Sequence, residues 1–166
     1  MATDPRDPAQ ADGTQEVANL GVVRPPVVYI AAIVSGVVLE LARPAPFVLQ
    51  EIAAPLGSLL LVAAGALFSS AVRTFRAAGT SVPGNKPSTT IVRTGPYRFS
   101  RNPIYLAFSL FQLGIAIWVD SLWLIATLGV AVALMARVVI PREERYLEGK
   151  FGAEYLAYKA SVRRWL

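Results

Sequence analysis

The stretch Ile52–Val72 (IAAPLGSLLLVAAGALFSSAV) carries no charged side chain from end to end. The hydrocarbon core of a bilayer is about 30 Å thick and takes about 20 helical residues, so this stretch reads as a membrane span. Three further apolar blocks share the chain: Val27–Leu41, interrupted only by Glu40, and then Ile104–Val119 and Leu122–Ile140, parted by Asp120–Ser121. The second and fourth blocks reach spanning length. The first and third are shorter and draw on Pro26, Tyr105 and aromatic flanks to reach the interface. A soluble helix bundle would need polar faces at helical spacing, and Ile52–Val72 has no such face. The expected fold is therefore all-α: a polytopic membrane protein with about four transmembrane helices, at about 27–41, 52–72, 104–119 and 122–140.

Composition agrees. Of 166 residues, 16% are charged and 54% hydrophobic, where a soluble domain carries roughly 25% charged residues. There is no cysteine and no histidine, which removes disulfides, thiolate chemistry, imidazole bases and the usual zinc, haem and iron–sulfur ligand sets. Chemistry in this chain runs on carboxylates, guanidinium and ammonium groups, hydroxyls, aromatics, backbone groups or a borrowed cofactor.

Charge sets the topology. Between the second and third blocks lie Arg73, Arg76, Lys86, Arg93, Arg98 and Arg101 with no acid among them, and the C-terminal segment adds Arg142, Arg145, Lys150, Lys159, Arg163 and Arg164. Basic loops stay inside, so four crossings put both termini and the 73–103 loop in the cytoplasm, with a bacterial inner membrane as the expected location. Trp118 and Trp123 bracket the outer hairpin turn, where interfacial aromatics belong. Glu40 is expected at the outer interface beside Arg43. The polar first 24 residues have no apolar centre of the signal-peptide kind and read as a disordered cytoplasmic tail, leaving 25–166 as one domain.

Two constellations remain. The loop ends Thr94-Gly-Pro-Tyr-Arg-Phe-Ser-Arg-Asn-Pro-Ile-Tyr105, with a turn at Gly95-Pro96 and with Pro103 suited to the first turn of a helix. Asn102 stands where a cap belongs, and the free N–H groups of that helix start attract anionic ligand groups. A plainer reading has Arg98 and Arg101 anchoring the loop on lipid phosphates. After the fourth block comes Pro141-Arg-Glu-Glu-Arg-Tyr-Leu147, then Phe151-Gly152 and Glu154-Tyr155. Leu147, Phe151, Tyr155 and Tyr158 form an apolar stripe at helical spacing, which predicts one amphipathic cytoplasmic helix over 142–160 starting at Pro141. Glu143 and Glu144 point about 100° apart on such a helix, so one is expected to face a site while the other caps or pairs with an arginine.

Together these motifs, over about Thr89 to Trp165, resemble the integral-membrane methyltransferases: isoprenylcysteine carboxyl methyltransferase and the phospholipid methyltransferases. The resemblance implies S-adenosylmethionine as methyl donor, with S-adenosylhomocysteine as product and no metal, bound on the cytoplasmic side. It places the donor site on Thr89, Thr90, Ile91 and Val92, on Tyr97, on Asn102, Pro103, Ile104 and Tyr105, and on Glu143, with Glu144 completing an acidic pair. Arg101 and Arg142 would steer an anionic head group, and Glu144 would take a proton from an amine or thiol acceptor. The expected partners are membrane lipids and an amphiphilic methyl acceptor, with no nucleic acid. Two positions depart from the isoprenylcysteine pattern. Arg-His-Pro is replaced by Arg101-Asn102-Pro103, and the substrate arginine of those enzymes, four residues before the first glutamate, falls on Val139. A methyltransferase for a small thiol, amine or carboxylate, and a non-catalytic protein binding anionic lipid, are the other readings the residues allow.

Overall fold

The computed structural model describes residues 24–79 and 89–166. The expected N-terminal tail, apart from Arg24, and residues 80–88 of the expected loop lie outside the described residues. Four long apolar elements run antiparallel: α1 (Pro25–Ala42), α2 (Gln50–Ala77), α3 (Pro103–Trp118) and α4 (Leu122–Leu134). A wide π-type turn, Met135–Val139, joins α4 without interruption to α5 (Ile140–Phe151), and α6 (Ala153–Ser161) follows. A 3-10 turn, Gly95–Arg98, precedes α3.

Three of these stretches, Pro25–Ala42, Gln50–Ala77 and Leu122–Phe151, are long and apolar enough to cross a membrane, and Pro103–Trp118 is a shorter apolar helix. Outward side chains such as Val34, Val38, Leu59 and Val62 are exposed and apolar, while Ala53, Ala64, Ala71, Ala107, Ala116 and Ala131 are buried. That inversion suits a hydrocarbon solvent, which offers apolar side chains no reason to bury and leaves close packing to hold helices together.

α2 packs most extensively on α3 and α1 on α4, with α3 and α4 adjoining. Close approach explains the first contact. A Cβ built on Gly57 would stand 2.6 Å from Trp118 Cβ and 2.8 Å from the Gly114 carbonyl, so the α2–α3 seam admits no side chain there. At the end opposite α3's start, the two short loops are stitched together. Asp120 Oδ1 accepts from the Phe47 and Val48 amides, each at 2.7 Å. Glu40 accepts from the Ala45 amide and, at 2.6 Å, from Ser121 Oγ. Trp123 Nε1 donates to the Arg43 carbonyl. These bonds tie the 119–121 turn, at the far end of α3 from Pro103, to the loop between α1 and α2.

Two expectations are corrected. No new helix starts at Pro141: Leu122–Phe151 is one stretch of 30 residues, about 45 Å long at 1.5 Å per residue, and it outruns the bilayer core. Proline lacks the N–H of an α-helical turn, and its ring clashes with the carbonyl four residues back. The wide turn absorbs that clash, with the Ile140 amide reaching back to the Met135 carbonyl. The amphipathic segment 142–160 is also two helices rather than one. Gly152 breaks it at φ 53° and ψ −127°, a region glycine reaches without a Cβ penalty.

Gly57→Leu is expected to separate α2 from α3. In detergent the variant should unfold well below the wild-type midpoint, and an unchanged midpoint would refute the tight-seam account.

Candidate active site

A second group of polar residues, with the buried Glu143 and Glu144, gathers at the end where α2 stops, α3 starts and α5 emerges. Val92 packs into a buried cluster with Ala71, Phe75 and Tyr97, against which Ile104 also lies. Phe75 and Tyr97 meet edge to face with ring centroids 4.8 Å apart, and the Tyr158 hydroxyl donates to the Tyr97 carbonyl at 2.8 Å. Arg93 bonds the Glu154 carbonyl and carboxylate at 2.9 and 3.0 Å, tying the 89–94 stretch to α6.

On the other side, Tyr105 of α3 is buried and its hydroxyl donates to Glu143 Oε1 at 2.5 Å. Glu143 is itself buried, and among the described residues it makes no ion pair. A buried carboxylate without a cation is costly, and the group is relieved either by taking up a proton or by meeting a positively charged partner. The Tyr97 hydroxyl is buried with no hydrogen-bond partner among the described residues. Burial first, then Tyr158 and Glu143, push its phenol well above the ordinary tyrosine value. It therefore stays protonated, an unspent donor within electrostatic reach of Glu143. Burial likewise raises Tyr155 and pushes Tyr158 up to about 12, the latter against the opposing pull of Arg101 and Arg93.

The adjacent acid behaves differently. Glu144 is buried but surrounded by cations: Arg101 Nη2 at 3.0 Å, Arg164 Nη2 at 2.8 Å and Lys159 Nζ at 3.7 Å. Arg101 also donates to the Lys159 carbonyl at 2.7 Å. The same Arg164 reaches the Ala136 carbonyl, which loses its usual α-helical partner because the Ile140 amide bonds Met135 instead. Hydrogen bonding to Glu144 holds the Arg164 guanidinium above its ordinary value. The backbone of Arg163 and Arg164 closes the corner before α3, accepting from the Arg101 amide at 3.0 Å and from Asn102 Nδ2 at 3.0 Å. Trp165 packs against the Tyr29–Tyr105–Met135 cluster.

The structure thus brings together Val92, Tyr97, Ile104, Tyr105 and Glu143, with Pro103 buried at the helix start. Thr89 and Thr90 are exposed and Ile91 is half-buried beside them. Other expected site residues are placed differently. Both Glu144 oxygens are engaged in an anchor, so the residue is not free to meet an acceptor. Arg101 faces Glu144 rather than lipid phosphate, with 10% of its side chain exposed. Arg142 sits on the exposed face of α5, outside the cluster. Asn102 makes no side-chain cap for α3 and spends its amide on Arg164. The contributions of Arg164 and Trp165 to this corner were not marked by any local pattern, and Tyr158 read only as part of the apolar stripe. The basic run Arg163-Arg164 read only as tail charge, and nothing in its spacing points twenty residues back to Glu144.

A family model described as phospholipid methyltransferase matches residues 52–154, from α2 to the start of α6. The chain belongs to the phospholipid methyltransferase family. With its apolar helices, this family member is an integral membrane protein. An uncharacterized protein of Haemophilus influenzae is 43% identical over 65 residues, covering 38% of this chain and 100% of that protein. The cobalt-zinc-cadmium resistance protein CzcN of Cupriavidus metallidurans is 40% identical over 76 residues, 45% of this chain and 35% of CzcN. The nickel-cobalt-cadmium resistance protein NccN of Alcaligenes xylosoxydans xylosoxydans is 37% identical over 70 residues, 42% of this chain and 32% of NccN. The chain therefore spans about a third of the length of those two resistance proteins. No solved structure matches it.

Glu144→Ala strands the buried Arg101 guanidinium, and breaking a buried pair from one side costs about 3–5 kcal/mol. Thermal unfolding in detergent should show a large loss, and the double variant Arg101→Met/Glu144→Met should recover part of it. A single variant as stable as wild type would dismiss the anchoring role.

Proposed function

We propose that this protein transfers a methyl group from S-adenosylmethionine to a lipid-soluble or amphiphilic acceptor at the cytoplasmic face of the membrane. The observation that supports the reading is the buried Glu143, bonded to Tyr105 and with no cation paired to it among the described residues, near a Tyr97 hydroxyl that has no hydrogen-bond partner among them either. Such a site asks for a ligand bearing both positive charge and hydrogen-bonding groups. S-adenosylmethionine, when bound, supplies an electrophilic methyl on a sulfonium and also carries an ammonium and a ribose diol. The residues present fit it.

In this reading Glu143 accepts from the ammonium or the diol, and Tyr105 fixes the orientation of its carboxylate. Tyr97 offers a hydroxyl donor, and its ring suits a neighbouring cation. The backbone of Thr90, Ile91 and Val92 is available to read an adenine edge, with Val92 and Phe75 offering apolar surface beside Tyr97. The Arg101–Glu144–Arg164 anchor holds α5 so that Glu143 turns inward. Methyl transfer is an in-line displacement, and holding two reactants in line supplies much of the acceleration, with effective molarities of about 10⁵ M or more. Water exclusion by Tyr97, Tyr105 and Tyr158 protects a reactive donor. With Glu144 engaged in the anchor, a neutral amine or thiol acceptor would have to lose its proton elsewhere.

Calorimetric titration of the purified full-length protein with S-adenosylhomocysteine tests the donor site. Glu143→Ala should weaken binding by roughly tenfold to a hundredfold, the loss of a hydrogen bond to a charged group. Wild-type affinity in that variant would remove the site. For the acceptor, membranes containing the protein are incubated with methyl-labelled donor, and label should partition into the lipid extract. Label confined to the aqueous phase would instead favour a small soluble thiol, amine or carboxylate.

A further inference from the structure

A groove of about 480 Å³ opens between α1 and α4, away from the Glu143 site, and is lined by Arg24, Val28, Ala31 and Ser35 on one side and by Val130 and Leu134 on the other. Its α1 residues recur at helical spacing on one face, and small side chains hollow it. Its floor includes Val28 and Ala32, which pack against the cluster containing Tyr29 and Tyr105.

We infer that this groove seats one acyl chain of an anionic phospholipid, drawn from the leaflet at the Glu143 end, with its phosphate paired to Arg24. Three observations converge. The walls face the surrounding bilayer, with Val27 and Val130 58% and 69% exposed, so hydrocarbon is what fills a hollow between them. From Arg24 to Ser35 the α1 helix rises about 16 Å, about half of the roughly 30 Å hydrocarbon core, so the groove is one leaflet deep. Its one charged lining residue among the described residues, Arg24, lies at the mouth, where a lipid phosphate sits and where a guanidinium binds phosphate oxygens in bidentate fashion. The mouth is at the same end of the bundle as Asn102 and Glu143. The inference rests on membrane embedding alone and does not depend on the donor.

The test uses the full chain in liposomes containing a trace of phosphatidylglycerol or phosphatidylcholine with a photoactivatable diazirine on its acyl chain, and maps adducts by mass spectrometry. Adducts should concentrate on Ala31, Ser35, Val130 and Leu134, and the phosphatidylglycerol probe should label these several-fold more than the phosphatidylcholine probe. Ala31→Phe should fill the hollow and abolish the concentration, and Arg24→Gln should equalise the two probes. Adducts spread evenly over outward residues such as Val38 and Leu59, equal labelling by the two probes in wild type, or wild-type labelling of Ala31→Phe would each overturn the proposal. S-adenosylhomocysteine binding measured on the same samples keeps the two readings apart. Its absence would fell the methyl-transfer reading while leaving the lipid seat standing.

Discussion

The ion cluster around Glu144 holds together pieces of chain that no helix joins. Its carboxylate binds Arg101 from the corner before α3 and Arg164 from the last residues described, both onto α5. A carboxylate with 7% of its side chain exposed must be paired, because an unpaired buried charge costs several kcal/mol. The bidentate fork of Arg164 then carries the C-terminal backbone to Asn102 and the Arg101 amide. The corner before α3, α5 and the C-terminal segment are held in register by that pairing.

The orientation of α5 has a second cause. Proline at 141 cannot sit in a tight α-helical turn, and the wide turn before it moves the Ile140 amide from Ala136 to Met135. The freed Ala136 carbonyl meets Arg164, so the irregularity in the backbone and the ion cluster support each other. π-type insertions are frequent at functional sites because they re-aim the residues that follow. Here Glu143 and Glu144, about 100° apart around the axis, are directed to Tyr105 and to the arginines respectively.

Much of this was legible in the residues. The uncharged run of α2 and the hairpin around Asp120 announced the helices, since a bilayer demands long apolar helices whatever their packing. Pro103 marked the start of α3. That two adjacent acids divide their work also followed from helical geometry alone. What local pattern could not show was which acid does which job, or that Arg101 would turn inward instead of toward lipid. Pro141 misled because a proline after an apolar block ordinarily reads as a helix start, and only packing around it permits a widened continuous turn.

The sequence by itself determined that the chain is helical, that it lives in a membrane, and that its chemistry must use carboxylates, guanidiniums and hydroxyls, because composition and hydropathic length answer to solvent alone. Only the tertiary structure decided that, among the described residues, Glu143 has no cation paired to it while Glu144 is surrounded by three. That distinction depends on Arg164 folding back across twenty residues of chain, and the energy of a buried charge is set by what stands within a few ångströms of it, whatever its neighbours along the sequence.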